Sequence, residues 1–403
     1  MFIANNAANI ISSSSRGEVR RAELNGIKAF TTPSSRSDAA DTLLYMVNYE
    51  NEKGFVIIGA PQGSPDLVGV VEDGSYTDNL LSDNPAFGAY IDEVAKEIQY
   101  GFRPVNGDSA TPMDPIKPGL TDATILEIEE WDIKTQVGPY VELRWGQKGI
   151  EGSLCPNRTA GCVMTATAQL LSWYERPLWL KLSYPGKPFD YLGLDWEDMK
   201  MHYVDPNYSC VSYRDSLYND EIHNLCEASE EGHSQIAMLC RQLGDGAGAT
   251  YQTVGGTGSN LDSMLGYLVY TYPQSFRNYA KSNGTSELYS VLQDKPCLMS
   301  GFADGDGNPG HAWLVDGFVD GKAYKCKYNV AEGREPILIE RNLIGDISVV
   351  HVNWGWDGRC NGYFLPTHFH TNEGLRYDPD CKVYKDYNFY KDLNVYSLNE
   401  VRR

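Results

Sequence analysis

Four residues in this chain are of types that together do acyl-transfer chemistry: Cys162, His311, Asn353 and Gln147. Cys162 follows Gly161 in the stretch TAGCVMTATAQLL, residues 159–171. Behind it Val163, Met164, Ala166, Leu170, Leu171 and Tyr174 keep one apolar face for about three turns, until Pro177 stops the run. This predicts a helix with the cysteine in its first turn, where unpaired N–H groups and the positive dipole end favour a thiolate. Gly161 lets a substrate or another backbone approach without a Cβ in the way. A lone cysteine is equally at home as a small buried hydrophobe, so its partners have to decide.

A cysteine nucleophile needs a proton acceptor, and the chain has seven histidines. His202, His223 and His233 sit in polar surroundings with no flanking pattern, and His368 and His370 lie in a C-terminal loop segment. His311, in GNPGHAWLVDGF, stands where a Pro-Gly loop runs into a strand, an edge that can present an imidazole to a cleft. His351 opens the strand HVNW and competes with it. On the residues alone the choice stays open, with His311 preferred. A third group must hold the imidazole in one tautomer. In VHVNWGWDG, Asn353 can do so without adding a charge, while Trp354, with Trp356 on the same face at period two, can roof the bond against water. The bland alternative is a strand end with two core tryptophans. Gln147, in ELRWGQKG, stands fifteen residues ahead of Cys162. Its amide and the Cys162 N–H would make an oxyanion hole.

The elements around these residues divide in two. Residues 41–60 and 66–76 read as three short strands with turns at NEKG and Asp73-Gly74. Residues 84–102 read as a helix, with Ala86, Tyr90, Val94 and Ile98 in step. The stretch 103–122 is dense in Pro, Gly, Asp and Ser and reads as a linker, with the boundary between the units anywhere in about 103–138. The expected arrangement is an N-terminal unit of residues 1–118 and a larger unit of residues 119–403, the latter with one strong helix and strands at HAWLVDGF and ISVVHVNW. An exposed linker over 103–138 would be the segment most open to proteases.

Bulk composition narrows the function. Net charge is −20, from 34 basic and 54 acidic residues, which excludes a nucleic-acid partner. No apolar run is long enough for a membrane span, and the N-terminus carries no apolar signal core, so either the chain is cytoplasmic or an export segment precedes it. The nine cysteines contain no CxxC pair, which argues against structural zinc. Their odd number leaves at least one thiol free within a single chain, and the eight besides Cys162 have spacings that fix no disulfide connectivity.

The motif order W-x-Q, T-x-G-C-V-x-T-A-x-A-Q, G-H-A-hydrophobic-x-x-D-G and H-V-N-W-G-W-x-G resembles the streptopain-like C10 family of bacterial cysteine peptidases. The resemblance covers Trp145–Pro177, Gly310–Gly317 and His351–Phe364. The segment YMVNYENEKGFVIIGA…PDLVGVVEDGSY is also similar to that family's inhibitory prodomain. The resemblance implies an α+β papain-like fold, a helical part plus an antiparallel β part, with a small N-terminal α+β prodomain. It implies Cys162 as nucleophile, His311 as general base, Asn353 and Trp354 as orienting residues and Gln147 as oxyanion donor, with no cofactor and no metal. Partners would be protein or peptide substrates and the chain's own prodomain, and the setting secreted, cell-surface or periplasmic. Two departures stand out: residues 319–349 lengthen the path from His311 to Asn353, and the loop over 243–260 has its own sequence. Two other readings fit the same residues, a Cys–His amidase or acyltransferase on cell-wall or small amide substrates, and a non-catalytic binding protein that keeps the fold. A built-in inhibitor speaks against the former, and retention of every polar site residue against the latter.

Overall fold

The computed structural model describes residues 7–8, 20–32, 41–60, 67–77, 79–101, 124–182, 190–202, 228–252, 256–303, 310–330, 337–366, 375–378, 383–386 and 390–401. The N-terminal unit contributes strands β1 (Ala22–Thr32), β2 (Asp41–Tyr49), β3 (Phe55–Gly59) and β4 (Gly69–Val71), then helix α1 (Pro85–Gly101). Proline at the first helical position and Asn84 before it start α1: the Asn84 side chain accepts from the Phe87 N–H at 3.1 Å. Phe87, Tyr90, Ile91, Val94 and Ile98 recur at helical spacing and are all buried.

Strand β5 (Thr124–Val137) opens the larger unit. Helix α2 (Cys162–Tyr174) follows, then α3 (Glu230–Gly246) and α4 (Leu261–Thr271). Six strands complete it: β6 (Phe276–Asn283), β7 (Cys297–Ala303), β8 (Gly310–Val330), β9 (Ile337–Asn353), β10 (Gly362–Phe364) and β11 (Tyr390–Glu400). Eleven strands form one sheet in the order β1-β2-β3-β4-β10-β9-β8-β7-β11-β6, with β5 pairing β8 off that path. The residues 319–349 that lengthen the sequence extend β8 and β9 into a long hairpin, with β5 laid along β8.

The two units are one sheet and share one core. The joint is β4 against β10, with Gly69 opposite Phe364 and Gly362 opposite Val71. Glycine on both strands allows the close approach: a Cβ on Gly362 would lie 1.9 Å from the Val70 carbonyl oxygen, and one on Gly69 would lie 2.5 Å from the Phe364 ring. Across the joint, α1 residues Phe87, Tyr90 and Val94 pack in one cluster with Trp313, Val315, Val352, Trp354 and Phe364. A second core on the opposite face of the sheet packs α2, α3 and α4 against Leu298, Ala312, Leu314 and Leu398.

The α+β architecture, the strands over 41–60 and 66–76 and the helices at 84–102 and 162 onward follow the sequence expectations. The linker does not do so throughout. Residues 103–122 lie outside the described residues, but 124–137 form β5, paired to β8 from Phe318–Val137 to Val330–Thr124. The period-two stretch Trp131, Ile133, Thr135, Val137, alternating with the polar Asp132, Lys134 and Gln136, is strand patterning. The strand HVNW also stops at Asn353, so Trp354 and Trp356 are not strand neighbours.

Gly362→Ala should open the sheet joint, because the new methyl meets backbone that has no side-chain freedom to yield. A loss on the order of 1–3 kcal/mol is expected, read as a lowered thermal midpoint. An unchanged midpoint would show that the β4–β10 contact carries no strain-sensitive packing.

Candidate active site

Cys162 is the first residue of α2, as the sequence predicts, and Gly161 before it has φ 93° and ψ 159°, a conformation essentially confined to glycine. A Cβ there would lie 2.8 Å from the Thr257 carbonyl oxygen. The glycine therefore serves the backbone of residues 257–258, which closes over the helix start.

Around the sulfur, the amides of Ala312, Val163 and Cys162 itself favour the thiolate, but burial outweighs them and pushes the thiol above its ordinary value. In this arrangement the helix N-terminus does not produce the thiolate that its position alone leads one to expect. Burial also holds the His311 imidazole below its ordinary value. At neutral pH the pair is thus a thiol and a neutral imidazole.

Strand alternation explains why they are not paired. Ala312 and Leu314 pack toward α2, while Trp313 and Val315 pack toward α1. The β7–β8 register is unbroken from Phe302–Gly310 to Cys297–Val315, so His311 belongs to the Trp313 face and the thiol meets Ala312.

Gln147 stands beside the helix start. Its carbonyl accepts from the Ala160 N–H at 2.7 Å. The preceding Gly146 donates its N–H to Glu151 Oε1 at 2.9 Å, and its carbonyl accepts from Thr165 Oγ1 at 3.0 Å.

Asn353 is fully buried beside the cysteine's helix. Its Nδ2 donates to the Leu143 carbonyl at 2.7 Å, and its Oδ1 accepts from Gln169 Nε2 at 3.2 Å and the Gly355 N–H at 3.1 Å. It is brought to the cysteine's helix, through Gln169, and holds no bond to His311. Trp354 lies in the shared core, with ring centroids 5.9 Å from Tyr90, 5.7 Å from Trp313 and 5.5 Å from Phe364.

The competing histidine has a different task. Nδ1 of His351 is 2.5 Å from Asp316 Oδ1, and its Nε2 is 3.3 Å from Glu72 Oε2. Burial would lower this imidazole, but the two carboxylates carry it up to about 10, so it is a cation near neutrality. Burial would likewise raise Glu72, yet His351, with Arg144 and Arg20 behind it, holds the carboxyl below its ordinary 4.5. An imidazolium engaged at both nitrogens cannot act as a base. His202 and His233 are buried with rings 5.0 Å apart, and His202 Nε2 is 3.5 Å from Glu151 Oε1. His223, His368 and His370 lie outside the described residues.

Sequence reasoning missed Asp316, Glu72, Glu151 and Gln169. Asp316 had a visible signal, a lone acid closing the apolar strand HAWLV. Glu72 had none, since its partner is 279 positions away by numbering (351 − 72). Among the described residues Cys155, Cys162, Cys240, Cys297, Cys326 and Cys360 are free thiols, while Cys210, Cys226 and Cys381 lie outside them. The described residues hold no His/Cys/Asp/Glu group of three or more that fits a metal ion, and no helix long and apolar enough to cross a membrane.

A cysteine-headed helix packed on an antiparallel sheet that carries the histidine strand defines a papain-like cysteine peptidase. The Peptidase C10 family model matches residues 139–364, more than half of the chain, and the protein belongs to that family of hydrolases. Streptopain of Streptococcus pyogenes serotype M28 (strain MGAS6180) is 22% identical over 325 residues, covering 77% of this chain and 71% of the relative. Another Streptococcus pyogenes streptopain is 21% identical over the same length. A fragment of Prevotella intermedia prointerpain A, carrying a cysteine-to-alanine substitution, superposes with a TM-score of 0.51 at 18% identity, covering 92% of this chain and 98% of that one. The last likeness is one of fold, and it extends through the N-terminal unit.

Gly161→Ala should be costly on two counts, the glycine-only dihedrals and the contact with Thr257. Expected are a destabilisation on the order of 1–3 kcal/mol and slower alkylation of Cys162 by iodoacetamide. Normal stability with normal thiol reactivity would refute the role given to this glycine.

Proposed function

We propose that this protein is a cysteine endopeptidase whose nucleophile is Cys162 and whose N-terminal unit holds it latent. The observation that carries the reading is the position of Cys162: first residue of a buried helix, three amides around its sulfur, and His311 one residue from the strand position it touches. Family membership supports the reaction class.

In the assembled site His311 takes the thiol proton and the thiolate attacks the scissile carbonyl. The Gln147 amide and the Cys162 N–H donate to the oxyanion. His311 then protonates the leaving amine, a thioester remains, and water activated by the same imidazole releases the acid and restores the thiol. Asn353 and Trp354 would orient the imidazole once His311 has moved to the thiol. None of these steps calls for a metal or an organic cofactor.

Latency rests on the seam between the units. The β4–β10 pairing, the Tyr90–Trp354 packing and two charge contacts hold residues before the linker on β10, on the C-terminal end of β9 and on the segment ahead of the cysteine helix. The charge contacts are Glu72 on His351 and Asp73 Oδ2 on Arg144 Nη2 at 2.5 Å. The same seam supports the division into a prodomain ending near residue 118 and a catalytic unit. With β5 paired in the sheet, maturation cleavage belongs ahead of residue 124. Latency until cleavage also suits an enzyme released from its cell or held at the cell surface.

The test is a peptidyl thiol-directed electrophile and casein, each applied before and after a trace of outside protease cuts the linker. Labelling and casein cleavage should both rise as the N-terminal hundred or so residues are lost, and Cys162→Ala should fall at least about a thousandfold with its fold intact. A fully active uncut protein would end the latency reading; activity in Cys162→Ala would end the assignment of the nucleophile.

The seam makes a separate forecast about pH. His351 is raised above its ordinary 6.5, so its contribution is fully present below 6.5 and is lost as pH rises through about 10. Glu72 is lowered, so its contribution is present above 4.5 and lost as pH falls through its value in the fold. After linker cleavage the N-terminal fragment should therefore stay bound around neutrality and dissociate at alkaline pH. Glu72→Gln should weaken its retention at neutrality by roughly tenfold or more, measured by gel filtration of the cut protein. Equal retention of wild type and variant would remove the ion contact from the seam.

A further inference from the structure

The segment before the helix is held more tightly than a loop needs to be. Trp145, Gly146 and Gln147 are gripped by buried polar groups drawn from four places in the chain. The Trp145 carbonyl accepts from Gln169 Nε2 at 3.1 Å, and its indole Nε1 donates to the His202 carbonyl at 3.2 Å. The Gly146 N–H goes to Glu151, the Gly146 carbonyl to Thr165, and the Gln147 carbonyl to the Ala160 N–H.

Glu151 is the member of this set that asks for an explanation. It is 1% exposed, a charged side chain taken almost wholly out of water. Burying a carboxylate costs several kcal/mol, and packing alone would be served as well by an apolar residue of the same size. Its Oε1 takes the Gly146 N–H, one residue ahead of Gln147, and faces His202 Nε2. Asp357 stands on the other side of the same glycine: a Cβ on Gly146 would lie 2.1 Å from Asp357 Oδ1. Burial and then the Glu151 charge hold the Asp357 carboxyl up to about 7, so the glycine sits between two buried acidic side chains.

We infer that Glu151 is a positioning residue for peptide hydrolysis: by fixing the Gly146 N–H it sets the direction in which the Gln147 side chain leaves the backbone, toward the oxyanion above Cys162. The inference rests on the reading of Gln147 as oxyanion donor. A charged acceptor makes a shorter, stiffer bond than a neutral one, and a donor misplaced by an ångström loses much of its effect on the transition state. Glu151 bonds the Gly146 N–H rather than the thiol, so it acts through Gln147.

The experiment uses the full chain activated by linker cleavage and compares two reactions of the same thiol. Peptide hydrolysis develops an oxyanion, whereas alkylation by iodoacetamide does not. Glu151→Leu should lower kcat by about 10–100-fold with KM and the alkylation rate within about twofold of wild type, given that loss of an oxyanion donor costs about 100–1000-fold. Glu151→Gln, which keeps an oxygen acceptor for Gly146, should recover to within about fivefold. Adding Gln147→Ala to Glu151→Leu should leave kcat no lower than Gln147→Ala alone, because both act at one point. Thr165→Val removes the bond to the Gly146 carbonyl from the opposite side, and it carries the same expectation if Glu151→Leu does not fold. Wild-type kcat in the folded variants, an equal fall in alkylation, or losses that multiply in the double variant would overturn the inference. Should Gln147→Ala itself run at the wild-type rate, the oxyanion reading fails and takes this inference with it. A slow Gln147→Ala beside a fast Glu151→Leu fails the inference alone.

Discussion

Side chains along β8 alternate between two cores, and the rest of the molecule is arranged around that alternation. Trp313 and Val315 belong to the core shared with α1, and Ala312 and Leu314 to the core shared with the cysteine's helix. The period of a strand is two, so a residue cannot change face without a slip, a bulge or an end to the pairing. His311 sits at the end of the strand, next to the first pair, Gly310 with Phe302. That is the one place where a residue can leave its face without dragging the two cores along. The N-terminal unit packs on the core that holds Trp313, so the position of the histidine and the docking of α1 are mechanically one problem.

The charges at the seam complement this packing. A buried ion triad is a weak source of net stability, since apolar residues of the same volume would often do as well or better. What charges provide is register. Glu72 meets an imidazolium whose other nitrogen is already taken by Asp316, and Asp73 meets Arg144, so the two residues that follow β4 are tied to β9 and to the segment ahead of the cysteine helix at two adjacent points. The bulge at Asp316, between the Val315–Val352 and Gly317–His351 pairs, turns the Asp316 carboxylate to where His351 can reach it.

Most of the fold was legible because its signals are local. The cysteine helix announced itself by an apolar face and a proline stop, α1 by its spacing, and the strands by their β-branched runs. Strand β5 was not legible as such, since it forms along a hairpin whose length only β8 and β9 determine. At the site, residue types pointed to Cys162 and separated His311 from His351 only by preference. The ion contacts that occupy His351 come from Asp316 and Glu72, which are far apart in sequence and near each other only through the β4–β10 joint. Gln169 and Glu151 were hidden for a different reason. Each bonds a main-chain group of residues 145–146, and backbone acceptors and donors leave no mark on the sequence.

If the N-terminal unit holds the enzyme latent as proposed, cleavage of the linker and removal of that unit are distinct physical events. While the linker is intact, the N-terminal unit faces the catalytic unit at an effective concentration on the order of millimolar, and the seam needs little strength to stay closed. Cutting between the units leaves every seam contact in place and changes only that concentration, to the concentration of the protein itself. The N-terminal unit then leaves on dilution, or when proteolysis consumes it. On the proposed latency, activity is tied to dissociation rather than to the cut, and the strength of the seam sets how dilute the protein becomes before Cys162 and His311 can meet.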